Sequence, residues 1–161
     1  MRKNLVEKTA KHEAAHAVMR WVLGMTPTPI ELNPNGGCCF GSSATVQPQD
    51  QLLVTLAGFA WESGCGIAKI DFATSHTADF DDARSLLISR IHLRSRIEII
   101  GEEQRIVFDD VDESLNRWFR TAGEMLLPYL ELVDELGEQL LENGRLSSDQ
   151  IAAIIRTRDR S

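Results

Sequence analysis

Several features that define whole protein classes are scarce or missing in this sequence. Cysteine is limited to the adjacent Cys38 and Cys39 and the lone Cys65, with no CxxC pair. An odd count without framework spacing argues against a disulfide-stapled secreted scaffold and for reduced thiols in a cytoplasmic protein. Positive charge is in deficit: 17 Lys and Arg face 24 Asp and Glu, leaving a net charge of −7. Phosphate backbones are bound by cationic patches, so nucleic acid is not the expected partner. The most apolar run, Leu52 to Trp61, falls far short of the roughly 20 residues that span a bilayer. Glu7, Lys8 and Lys11 interrupt the N-terminal segment, so no signal-peptide core and no membrane insertion are expected. A Walker-type GxxxxGK[ST] loop, internal repeats and low-complexity tracts are also missing. What remains is ordinary globular composition: 161 residues, 43% hydrophobic and 25% charged. That predicts a single domain over 1–161, large enough to bury a core without disulfides.

Periodicity predicts a mainly α chain, a compact helical bundle carrying a small β-hairpin. Residues 7–24 read as a helix ending at Gly24, with Ala15, Val18, Met19 and Val22 on one stripe. Ile30–Leu32 and Cys38–Val46 read as short strands around Asn35-Gly36, a dipeptide suited to tight hairpin turns. Further helices are expected over Gln51–Gly64 and over Ala78–Arg96 with Thr77 as N-cap. Glu102–Asp112 reads as a charged connector. Val111–Leu127 follows as a helix, with Leu115, Trp118, Phe119, Ala122 and Met125 at helical spacing, and Pro128 restarts the next helix. That one runs to Asn143-Gly144, and Ser147 with Gln150 forms a capping box for a last helix over Ser148–Arg158.

Chemistry concentrates at His12-Glu13-Ala14-Ala15-His16, an H-E-x-x-H motif on a predicted helix. Side chains four apart leave the same face one turn apart, so His12 and His16 can hold one ion. Glu13 projects about 100° from His12 and about 60° from His16. It therefore stands beside the ion, placed to take a proton from water. Zn2+ suits two imidazoles plus a carboxylate with one open position. The plainer reading of two such histidines is a half-exposed or satisfied core pair, and short patterns arise by chance. A third ligand is needed, and neither the metzincin histidine nor the NExxxxE glutamate is present. By chemistry alone the choice stays open among Glu62, His76, Asp79, Asp81, Asp82 and His92, with His92 the candidate better read as packing.

Thr9-Ala10-Lys11-His12-Glu13-Ala14-Ala15-His16-Ala17 resembles the zinc helix of the FtsH-type peptidase domain of membrane-anchored AAA metalloproteases. Downstream, in the same order, Pro29 to Gly37 resembles the family's short strand and turn. Leu56-Ala57-Gly58-Phe59-Ala60-Trp61-Glu62 resembles its LAGRAAE helix, and Thr74 to Ala83 its TTGAxxDLxxA segment. Pro128 to Ser148 resembles the closing helices, so the likeness spans nearly the whole chain. Differences are local: Ala15 for a glycine, Phe59 and Trp61 at small or basic positions, His76 at a small one, and a shorter stretch between Leu93 and Val111.

The resemblance implies Asp79 as third zinc ligand and a supporting role for Glu62 near the ion. Asp79 also falls in the first turn of its predicted helix, where a carboxylate is favoured by the dipole. It shares a face with Ala83 and Leu86, which could pack that helix against the zinc helix. The expected function is a zinc metallopeptidase, with Glu13 as general base, acting on unfolded or flexible polypeptide. Lacking an ATPase module, it would depend on a separate ATPase or adaptor to unfold folded substrates. A homo-oligomer is left open, and the family's hexameric ring is not carried over. Two other classes compete. One is a catalytically inactive zinc-stabilised domain that binds a protein partner; the other is a plain helical protein with an accidental motif. An edge strand at Cys38-Cys39 could bind substrate backbone by strand addition. Arg90, Arg94 and Arg96 read as a solvated face.

Overall fold

A computed structural model describes residues 2–33, 36–39, 46–64, 78–91, 95–100, 103–108 and 110–158. Its first helix, α1 (Arg2–Val22), is lined with small residues: Ala10, Ala14, Ala15 and Ala17 are all fully buried. Short side chains let neighbouring elements approach closely. Helices α2 (Pro48–Glu62) and α5 (Leu130–Asn143) make the main contacts, joined by α4 (Val111–Leu126) and the strand pair β1 (Ile30–Asn33) and β2 (Gly36–Cys39). Ala15, Val18 and Met19 are buried as expected and Val22 partly so, but so is every residue from His12 to Arg20. The single stripe was too narrow a reading of an enclosed helix. Its bounds differ too, because the helix already begins at Arg2. The helix stops in a Schellman motif. Gly24 has φ 73°, its N–H reaches the Trp21 carbonyl at 2.8 Å, and the Met25 N–H reaches that of Arg20 at 2.9 Å.

The architecture is mainly α, a helical bundle with small antiparallel sheets. In the three-stranded sheet β1 is central, with β2 on one side and β5 (Arg145–Leu146) on the other. Register pairs Ile30 with both Cys39 and Leu146, and Asn33 with Gly36. The hairpin predicted around Asn35-Gly36 is therefore present, although its second strand is Gly36–Cys39 and residues 40–45 lie outside the described set. Ile30 and Leu146 are both buried and tie the sheet to the core.

Two expectations between residues 78 and 112 are corrected. Helix α3 covers only Ala78–Ser89, and the predicted end of that helix is instead the start of β3 (Ser95–Ile100). The charged connector contains β4 (Glu103–Phe108), paired antiparallel with β3 from Ser95↔Phe108 to Ile100↔Glu103. Arg96-Ile97-Glu98-Ile99 alternates polar and apolar, a period of two that outweighs the helix formers upstream.

The C-terminal elements follow the reading closely. Asp110 caps α4 by accepting from the Glu113 N–H at 3.0 Å. Leu115, Phe119 and Ala122 are buried, while Trp118, Met125 and Tyr129 are partly buried against the core. A 3-10 turn at Leu127–Tyr129 carries Pro128, and α5 ends at Gly144 with φ 72°. The capping box of α6 (Ser148–Arg158) is formed: Ser147 N–H donates to Gln150 Oε1 at 2.8 Å, and Gln150 N–H to Ser147 Oγ at 3.3 Å. No described helix is long and apolar enough to cross a membrane.

Candidate metal centre

Burial of polar side chains is selective in this molecule. Of the five buried polar or charged residues in the described set, His12, Glu13, His16 and Arg20 belong to α1. Buried polar groups need partners. Those of His12 and His16 come from two other helices.

Helix α2 runs antiparallel to α1 at this point. Lys8, His12 and His16 recur every fourth residue on α1, and Val54, Gly58 and Glu62 do so on α2. Their pairing runs in opposite directions: Lys8 Nζ lies 2.7 Å from Glu62 Oε2, His12 Nδ1 is 2.8 Å from Glu62 Oε1, and His16 Nδ1 is 2.6 Å from the Val54 carbonyl oxygen. A carbonyl only accepts, so His16 must carry its proton on Nδ1 there, which leaves Nε2 with a free lone pair when the ring is neutral. Glu62, an acceptor when ionised, favours the same tautomer for His12.

Helix α3 supplies the remaining group. Asp79, in its first turn, brings Oδ2 to 3.0 Å from His12 Nε2 and 3.7 Å from His16 Nε2. What fixes the approach of α3 is aromatic packing. Phe80 stacks on Phe59 of α2 with ring centroids 4.1 Å apart, and Phe59 meets the His12 ring edge-on at 4.9 Å. Ala83 and Leu86 are buried on the same helix.

His12, His16 and Asp79 thus present one ligand atom each, all within 4.8 Å of one another, and can hold one metal ion. The donor set of two imidazoles and a carboxylate fits Zn2+, and the outward ring N–H groups are held by Glu62 and Val54 as metal-ligating histidines require. Of the other sequence candidates, Asp81 and Asp82 are exposed, while His76, His92, Cys65 and Thr77 lie outside the described residues. Glu62 stands one step back from the cluster, on His12. Glu13 is buried to 7% exposure and lines a cavity of about 230 Å3 together with Leu5, Phe59 and Asp79. Among the described residues its carboxylate forms no hydrogen bond or ion pair.

Electrostatics follow from this packing. Burial alone would lower the His12 imidazole, but Asp79 and Glu62 outweigh it and push it up to about 9. Burial likewise opposes ionisation of Asp79, yet the hydrogen bonds and charges of His12 and His16 hold it well below the usual carboxylate range. Glu62 is lowered against its own burial by His12 and Lys8. Glu13 goes the other way: burial raises it, and the charges of His16 and His12 offset this only in part. A carboxylate made more basic is better suited to accepting a proton.

Sequence reasoning overlooked Lys8, the Val54 carbonyl, Gly58 and Phe80. Lys8 had a signal, since it precedes His12 by four residues on one helix face. The others act through backbone, absence or shape. Comparison with known proteins adds no assignment: no family model matches the chain, and no curated protein does.

Proposed function

We propose that the chain is a zinc metallopeptidase of the FtsH type, hydrolysing peptide bonds in unfolded or flexible polypeptide. The observation that carries this reading is the convergence of His12 Nε2, His16 Nε2 and Asp79 Oδ2 beside Glu13, with both Nδ1 protons already engaged. Zinc held there by His12, His16 and Asp79 would supply Lewis acidity toward the scissile carbonyl and toward water near neutral pH. Glu13 accepts the water's proton and passes it to the leaving amine. Its burial favours the protonated form it must adopt between the two transfers. Glu62 keeps the His12 ring aimed, and Asp79 supplies negative charge to the ligand set. The ordered resemblance from Thr9 to Ser148 supports the family. Among the described residues β2 is an edge strand that also packs against α1, which supports substrate binding by strand addition. A separate ATPase or adaptor would present folded substrates.

The test compares wild type with Glu13→Gln for bound zinc and for cleavage of a permanently unfolded protein. We expect one zinc per chain in both, turnover in wild type, and a loss of about 100-fold or more in the variant. Equal turnover removes Glu13 from the mechanism. Zinc without turnover in either assigns the chain to non-catalytic partner binding, and absence of metal leaves a plain helical protein.

A further inference from the structure

The geometry points to Gly58 as a positioning residue: the side chain it lacks is what allows α2 to hold both metal-binding histidines of α1. A Cβ at position 58 would fall 2.4 Å from Cε1 and Nε2 of His12 and 2.5 Å from its Cδ2. Side-chain atoms do not approach that closely, so the imidazole lies flat on the bare backbone of α2. The ring has little room to yield. Glu62 holds Nδ1 at 2.8 Å, Asp79 faces Nε2 at 3.0 Å, and Phe59 and His16 stand edge-on at 4.9 and 4.8 Å.

The same missing Cβ serves His16. In an α-helix the carbonyl of residue i accepts from the N–H of i+4, and the side chain at i+4 tilts back over that carbonyl. Residue 58 is the one that would cover the Val54 oxygen. With glycine there the oxygen stays open on its outer side, and His16 Nδ1 donates to it at 2.6 Å. A glycine in mid-helix costs stability relative to alanine. Here it admits one imidazole and uncovers the acceptor for the other.

This inference deepens the metallopeptidase reading and depends on it only for its metal measurements. The experiment uses Gly58→Ala, His12→Ala and the double variant, each tested for Tm without metal and for Zn2+ and Co2+ binding. Gly58→Ala is expected to lower Tm in the wild-type background, weaken both metals at least 100-fold and change the visible Co2+ spectrum. In the His12→Ala background, where the ring is gone, the same substitution should leave Tm unchanged or raise it. Should Gly58→Ala fail to fold, folding of the double variant upholds the inference and its failure overturns it. Wild-type metal affinity in Gly58→Ala, or an equal Tm loss in both backgrounds, also overturns it. If the wild type binds neither metal, the peptidase reading fails, and the Tm comparison alone decides the role of Gly58.

Discussion

Glu62 accepts the Nδ1 proton of His12 at 2.8 Å while its other oxygen is held by Lys8 at 2.7 Å. The carboxylate is thereby kept ionised and fixed, and it fixes both tautomer and tilt of the ring. Glu62→Gln keeps the shape but removes the charge that makes His12 a stronger donor. Metal affinity is expected to fall about 10–100-fold with the three ligands still in place. A competition titration against a chromophoric chelator measures it; an unchanged constant would remove Glu62 from the centre.

Asp79 is expected to matter more, because in the proposed centre it would contribute a ligand atom itself. Asp79→Ala should cost more than about 100-fold in metal affinity, exceeding the effect of changing Glu62. It also takes from His12 the larger of its two carboxylate partners, so the ring of the metal-free protein should titrate closer to its ordinary range. NMR titration of the His12 ring beside metal binding checks both. If the affinity loss were smaller than for Glu62→Gln, Asp79 would be a helix-end carboxylate and not a ligand.

Between pH 6 and 9, raising the pH is expected to weaken the His12 contribution to the metal-free protein while strengthening metal binding. His12 is raised from 6.5 to about 9 in the folded metal-free protein. Its contribution to stability is therefore full below about pH 6.5 and is lost as pH rises through 9. Raised Glu13 also contributes stability that is lost as pH rises, but starting from the ordinary carboxylate range. Lowered Asp79 and Glu62 contribute stability that is lost on acidification instead. Metal binding must displace the His12 proton, so affinity should rise by up to about tenfold per pH unit until pH 9. The Tm gap between loaded and metal-free protein should accordingly widen from pH 6 to 9. A gap that narrows would mean the ion does not replace that proton.

Legibility in the sequence followed the range over which each feature acts. His12, Glu13 and His16 are set by helix spacing alone and were readable at once. The capping box at Ser147 and Gln150 and the stop at Gly144 are equally local, and both formed. Asp79 lies 67 positions from His12, and no periodicity links the two; only an ordered resemblance singled it out. Val54 acts through its carbonyl, which every residue possesses. Hairpin β3–β4 was hidden because charged residues mask the alternation of Ile97, Ile99, Ile106 and Phe108. The enclosure of α1 was hidden for a different reason: a helix covered on most sides has no solvent face to mark the other.

Glycine was also misleading inside helices, where it reads only as a weak point, yet α5 repeats the relationship seen at Gly58. A Cβ at Gly137 would lie 2.6 Å from Cγ and 3.2 Å from Cα of Lys11. One of these contacts is backbone, so α5 itself would have to move away from α1. Lys11 is also tied down, 3.1 Å from Asp134 on α5 and 3.4 Å from Glu7 on α1. Gly137→Ala would gain about 0.5–1 kcal/mol from helix propensity. Overpacking should outweigh this, for a net loss of about 1–2 kcal/mol in unfolding free energy by urea titration. The affected face of α1 meets α5 and not the ligands, so metal affinity should fall far less than for Gly58→Ala. A stabilised Gly137→Ala would show that α5 has slack, and close approach would then be a requirement of the metal-facing helix alone.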